Sequence, residues 1–189
     1  MKKKKINISE VYFAKLKNCI DFLDFGQIDD AIHLIEKKWI GGNQIVVIGN
    51  GGSSLTALHY INDWSKSVYL STGRPLYGRT LTDNIGLVMS YANDLSFDDV
   101  FVEQLKTVIK QDDLLIAISG SGNSENIIRA VDYANQIGVT TLGVCGYQGG
   151  RLRQVAQSYI CSKIDDMQIS EDFHLIFGHI VMQYLCGAK

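Results

Sequence analysis

Between residues 10 and 40, apolar positions recur at intervals of three and four: Val11, Phe13, Leu16, Ile20 and Leu23, then Ile28, Ala31, Ile32 and Ile35. This spacing places an apolar stripe on each of two helices, with a break near Gly26. Further on, short continuous apolar runs alternate with amphipathic stretches. A strand at 45–49 leads to a helix at 53–67, Arg79 to Met89 has strand character, and Asp98 to Ile109 is helical. A strand at 114–118 then leads to a helix at 124–137, a strand at 140–145 to a helix at 149–157, and Tyr159 to Ser162 reads as a short last strand. Apolar strands that alternate with helices make a parallel sheet covered on both faces. The closing segment, Ser170 to Tyr184, is a helix with Phe173, Ile176, Phe177, Ile180 and Tyr184 on one side, and Ser170 followed by Glu171 and Asp172 suits its N-terminus. The single proline, Pro75, falls in the polar connection from Ser71 to Gly78.

Two of the strands end in loops rich in glycine and serine that open into helices: Gln44 to Ser54 and Asp113 to Ser124. Glycine lets the backbone approach an anion, serine hydroxyls donate to its oxygens, and the start of the next helix adds free N–H groups. A plain strand-to-helix turn needs one or two glycines, but not hydroxyls at Ser53, Ser54, Ser119, Ser121 and Ser124 as well. Nucleotide motifs do not fit. The chain has no G-x-x-x-x-G-K-[ST], and Gly49-Asn-Gly-Gly-Ser-Ser54 has a serine where the last glycine of the dinucleotide fingerprint belongs. A small phosphorylated metabolite suits the loops better.

Composition narrows the class. With 189 residues, 46% of them hydrophobic, and a net charge of −2, the chain is long enough for one well-buried domain and has no bias toward nucleic acid. The start, Met1-Lys-Lys-Lys-Lys-Ile6, reads as a solvated terminus, because Asn7 to Glu10 is too polar for the apolar core of a signal peptide. Cysteines 19, 145, 161 and 186 are scattered with no C-x-x-C pair, and no apolar run is long enough for a membrane span, so a reducing cytoplasm is the expected compartment. Cys145 and Cys161 sit in apolar runs and read as core.

Several motifs together resemble one family. Gly49-Asn-Gly-Gly-Ser53, His59-x-x-x-Asp63, Tyr91-Ala-Asn-Asp94, Ile118-Ser-Gly-Ser-Gly-Asn-Ser124, Gly146-x-x-Gly-Gly150 and Glu171-Asp-Phe-His174 with His179 are similar in order and spacing to the sugar isomerase (SIS) domain proteins, and among them to the phosphoheptose isomerases. The resemblance spans nearly the whole chain as a single SIS domain. It implies an α/β flavodoxin-like αβα sandwich with a central parallel sheet and an N-terminal helical hairpin, residues 1–40, used in oligomer packing. It also implies a homotetramer with active sites at subunit interfaces. The implied activity is an aldose–ketose isomerisation, here of sedoheptulose 7-phosphate to D-glycero-D-manno-heptose 7-phosphate. Two alternatives stand beside it: an isomerase of another phosphorylated sugar, and a non-catalytic SIS regulator that binds a sugar phosphate or a protein.

Carried over by position, the resemblance assigns the phosphate to Ser53, Ser119, Ser121 and Ser124, and the sugar to Asn50, Gly51, Gly52, Asn93 and Asp94, with Gly120 and Glu171 also lining the substrate. The metal positions are His59, Asp63, Glu171 and His179, for a divalent ion, zinc before others. Three of these positions depart from the family, which has Glu at 63, Gln at 171 and Thr at 120. Aspartate withdraws the carboxylate by one methylene, roughly 1.5 Å, which is more than catalytic positioning tolerates without a backbone shift. Glu171 adds a negative charge to the ligand set. On spacing alone Glu171 pairs with His174 one turn away, and only the resemblance turns it toward His179, leaving His174 a structural or supporting role. Moving a proton between adjacent carbons requires a base at carbon, an acid or base at oxygen, and a positive group for the enediolate. Asp63 and His179 are the candidates for the first two roles and the metal for the third. His33, in the N-terminal hairpin, reads as a surface or interface residue.

Overall fold

Each apolar strand divides its side chains between two faces, and this alternation builds the molecule's two cores. A computed structural model of the chain describes residues 7–187. The lysine-rich start, Met1–Ile6, lies outside the described residues. Five parallel strands, β1 (Ile45–Gly49), β2 (Gly78–Thr80), β3 (Leu114–Ser119), β4 (Thr140–Cys145) and β5 (Ser158–Cys161), form one sheet in the order β2-β1-β3-β4-β5. Ile45 lies opposite Leu114, and Ser119 opposite Cys145.

Ile45, Val47, Ile116 and Val144 point to the face covered by α1 (Ile8–Asp21), α2 (Phe25–Ile40), α3 (Gly52–Asp63) and α9 (Met167–Leu185). Val46, Ile48, Leu115 and Cys145 point to the face covered by α6 (Val100–Val108), α7 (Glu125–Gln136) and the short α8 (Leu152–Val155), with Val88 and Tyr91 of α5 (Ile85–Asp94) packed at its margin. Cys145 and Cys161 are core, as expected from their apolar runs. The first helix is tied to the last by Tyr12, whose hydroxyl donates to Asp172 at 2.7 Å, and by Lys15, paired with Asp166 at 2.7 Å. The hydrogen bond to Asp172 pushes the Tyr12 phenol up to about 12. Among the described residues no helix is long and apolar enough to cross a membrane.

Several boundaries differ from the expectation, each for a local reason. The stretch from Arg79 to Met89 is a strand only through Thr80. Asn84 then accepts from the Leu87 N–H at 3.3 Å and starts α5, so Leu87, Val88 and Met89 are helical. The first two helices part at Phe22–Asp24 and not at Gly26, because Asp24 caps α2 by accepting from Gln27. The last helix begins at Met167, capped by Asp166 accepting from Ile169, and not at Ser170. Ser170 is buried inside it, bonded to the Asp166 carbonyl and to the Ser162 hydroxyl. The helix expected at 149–157 shrinks to Leu152–Val155. The helix expected at 53–67 runs on through a five-residue π turn, Trp64–Val68, into α4 (Tyr69–Thr72).

Candidate active site

In a parallel sheet whose strand order reverses, the crevice opens at the carboxyl ends of the strands on either side of the reversal. Here the reversal lies between β1 and β3, the strands that end in the two serine loops. The loops enclose a cavity of about 150 Å³ lined by Asn50, Ser53, Ile118, Ser119, Gly120, Ser121, Ser124, Met167 and Glu171. Ser53 is in the first turn of α3 and Ser124 precedes α7, so two helix N-termini meet at the cavity. Ser119 accepts from the Gly122 N–H at 3.1 Å and Ser121 from the Asn123 N–H at 3.2 Å. Those bonds curl the loop while leaving both hydroxyl protons free to donate. Gly122 has φ +67, and a Cβ there would collide with the Gly149 carbonyl, so the Gly149-Gly150 turn after β4 packs directly on the second serine loop.

Gly120, where the family has a threonine, has its side-chain space taken by the Met167 sulfur. Met167 is a cavity residue that the motif reading missed. Its place four residues before Glu171, with no polar chemistry, gave no signal.

The second part of the site is built on two helix faces. His59 and Asp63 lie one turn apart on α3, and His179 projects from α9. His59 Nε2 stands 3.0 Å from His179 Nε2 and 3.1 Å from Asp63 Oδ2, and His179 Nε2 lies 4.0 Å from the same oxygen. Donors held at about 2.1 Å around a tetrahedral ion are about 3.4 Å apart, a value these separations bracket. Two imidazoles and one carboxylate with an open fourth direction is also a donor set that zinc accepts. The residues therefore fit a divalent ion. The side chains are partly open to solvent, with exposures of 43% for His59, 24% for Asp63 and 44% for His179.

What registers α3 against α9 is a clamp one residue from the cluster. The Tyr60 hydroxyl donates to the His174 carbonyl, and Trp64 Nε1 donates to the Gly178 carbonyl at 2.9 Å. The two rings stack at 4.8 Å, fully buried. A Cβ on Gly178 would enter the Tyr60 ring, so glycine is what lets the helices meet this closely. Sequence reasoning did not single out Tyr60, Trp64 or Gly178. A glycine in mid-helix beside a candidate ligand was the available signal.

The remaining expected residues are placed as follows. Glu171 is two turns before His179 on α9 and outside the three-residue cluster. It faces Gly52, where a Cβ would lie 3.2 Å from its Oε1, and belongs to the serine cavity. Gly51 and Gly52 are exposed at the start of α3. Asn93 and Asp94 sit exposed at the end of α5, hydrogen-bonded to each other at 2.9 Å, and do not line the cavity. His174 is buried at 1% exposure with neither ring nitrogen hydrogen-bonded among the described residues, and burial pulls it down to about 4. His33 is exposed, with its ring edge against Tyr184.

Comparison with known proteins bears on this arrangement. The family model described as SIS domain matches residues 11–146. A phosphoheptose isomerase of Rhodospirillum rubrum is 31% identical over 177 residues, covering 93% of this chain and 88% of that one. This chain belongs to the SIS domain family, in its phosphoheptose isomerase branch. A probable phosphoheptose isomerase of Thermoplasma acidophilum is 34% identical over 140 residues, or 74% of this chain and 76% of that one. The SIS fold is likewise shared with solved structures. A phosphoheptose isomerase from Francisella tularensis superposes with a TM-score of 0.87 at 22% identity, covering 95% of this chain and 96% of that one. One from Neisseria gonorrhoeae does so with 0.84 at 23%, covering 94% and 96%.

Proposed function

We propose that this SIS protein is an aldose–ketose isomerase that interconverts sedoheptulose 7-phosphate and D-glycero-D-manno-heptose 7-phosphate. The observation that carries the reading is the convergence of His59, Asp63 and His179 from elements 120 positions apart, on a chain whose relatives bear that activity in their names. The serine cavity holds the phosphate, with Ser53, Ser119, Ser121 and Ser124 donating to its oxygens. Asn50, Gly51 and Gly52 line the sugar next to the phosphate, and Asn93 and Asp94, which the family resemblance also assigns to the sugar, stand outside the serine cavity. Asp63 takes the proton from the carbon next to the carbonyl, and His179 moves a proton at the oxygens. His59, Asp63 and His179, with Glu171 as the fourth candidate, would hold a divalent ion, zinc before others, which when bound would supply positive charge beside the reacting oxygens. Glu171 reaches the sugar from the Gly52 side.

The short Asp63 and the anionic Glu171 favour one second reading, an isomerase of the same class acting on another phosphorylated sugar. Exposed Val11, Phe13 and Ile20 on α1, Phe22 in the turn after it and Phe25 at the start of α2 support subunit packing there, in a homotetramer of single-domain chains. Free Cys19, Cys145, Cys161 and Cys186 suit a reducing cytoplasm. The test is turnover of a panel of ketose phosphates before and after chelation and zinc replenishment. Zinc-restored turnover of sedoheptulose 7-phosphate is expected, and a silent protein with bound zinc would overturn the reading.

A further inference from the structure

Two side chains tie the serine loops to each other. Asn50, the first residue after β1, and Asn126, the second residue of α7, exchange a pair of hydrogen bonds. Asn50 Nδ2 donates to Asn126 Oδ1 at 2.8 Å, and Asn126 Nδ2 donates to Asn50 Oδ1 at 2.9 Å. The contact joins positions 76 apart and crosses between β1 and β3, where the strand order reverses. Asn50 lines the cavity; Asn126 does not, and is 2% exposed behind it.

Only a carboxamide can donate and accept at the same time in this geometry. Aspartate at either position would set oxygen against oxygen, and a hydroxyl is too short to return both bonds. After the exchange Asn50 still has one N–H and one lone pair for a ligand, while its orientation is set from behind. The clamp is also neutral. The charged side chain lining the cavity is the carboxylate of Glu171, so a device that fixes the loops without adding negative charge suits an anion site.

We infer that Asn126 is a positioning residue, whose carboxamide orients Asn50 and fixes the spacing of the two serine loops so that one phosphate meets both. This rests on the reading of the cavity as the phosphate site. It goes beyond that reading in assigning a role to a residue that touches no ligand. Loops held independently would have to be brought together by the ligand itself, and part of its binding free energy would go into ordering them.

The test is a double-mutant cycle on the full chain: parent, Asn50→Ala, Asn126→Ala and both together. Inorganic phosphate and sedoheptulose 7-phosphate are titrated by calorimetry, with KM, kcat and melting temperature measured for the same four proteins. Asn126→Ala is expected to weaken both ligands about tenfold and to raise KM more than it lowers kcat. In the Asn50→Ala background it should weaken them no further. Asn126→Ser, whose hydroxyl can satisfy itself on its own helix, is the second variant if the alanine does not fold, with the same expected pattern. Additive losses, or a lowered melting temperature with unchanged affinity, would show a merely structural contact. A parent that binds neither ligand overturns the cavity reading along with this one, whereas a parent that binds both beside an unaffected Asn126→Ala overturns this one alone.

Discussion

The serine cavity and the His59–Asp63–His179 cluster, the two halves of the proposed site, are built by opposite means. The cavity is made of backbone: strand ends, tight loops and helix N-termini, with serine hydroxyls at the end of β3, in its loop and at the two helix starts. Its precision comes from buried strands that cannot shift register without turning their apolar residues outward. The cluster is made of side chains on two helices, and its precision comes from Tyr60 and Trp64 locking α3 to α9. Glu171 belongs by chain to the second half and by position to the first. The loops are thus set by strand ends and the cluster by the helix clamp, and although α3 and α9 carry residues of both, a change to one set of contacts should leave the other standing.

The largest test of that separation is His179→Ala. Loss of a group that moves a proton is expected to lower turnover about 10²–10⁴-fold and to release bound zinc, seen by metal analysis. Phosphate affinity by calorimetry should change less than about twofold, a margin within the scatter expected for an independent site.

A second test follows from His174, buried beneath the clamp. Its proton affinity falls from the ordinary 6.5 to about 4 in the folded chain. The unfolded chain therefore binds a proton that the folded chain refuses between those values, and stability rises with pH across the window. The contribution is complete above about pH 6.5 and is lost as pH falls toward 4, up to about 3 kcal/mol in all. Urea titrations at steps of pH should show that slope, and His174→Phe should flatten it.

Much of the first half was legible because it is local. Gly49-Asn-Gly-Gly-Ser53 and Ser119 to Ser124 each lie within one strand-loop-helix unit, so residue types and order were enough to expect a phosphate cradle, and the strands at 45–49 and 140–145 fell where the apolar runs ended. His59 and Asp63 were visible as a helical pair, but nothing in the periodicity reaches from His59 to His179; the family resemblance supplied that pairing. The strand expected from Arg79 to Met89 fails because a short apolar run has the same look in a strand and in a helix, and Asn84 caps a helix within it. Met167 and Gly178 act through volume, as a filler and as an absence, and volume leaves little trace in a pattern of polar and apolar letters.

Smaller effects sharpen the comparison. Gly178→Ala forces a methyl against Tyr60 and is expected to cost about 1–3 kcal/mol of stability and to weaken zinc while sparing phosphate. Ser121→Ala should do the reverse, weakening phosphate by about 1–3 kcal/mol with melting temperature and zinc content unchanged. Trp64→Phe keeps the stack with Tyr60 but drops the bond to the Gly178 carbonyl. A loss of about 1 kcal/mol in denaturant unfolding is expected, with a modest rise in the zinc dissociation constant.

The π turn at Trp64–Val68 carries a historical implication. A π turn is what remains when a helix absorbs one inserted residue without passing the shift along to its neighbours. Buried Trp64 and Val68 pin the two ends of this one inward, while Lys66 in its middle is exposed. The chain can therefore have gained a residue between α3 and the sheet's edge strand while every strand kept its register. Shorter kin should align with a single gap inside 64–68, and excising Lys66 should return the segment to ordinary α geometry in a protein that still folds.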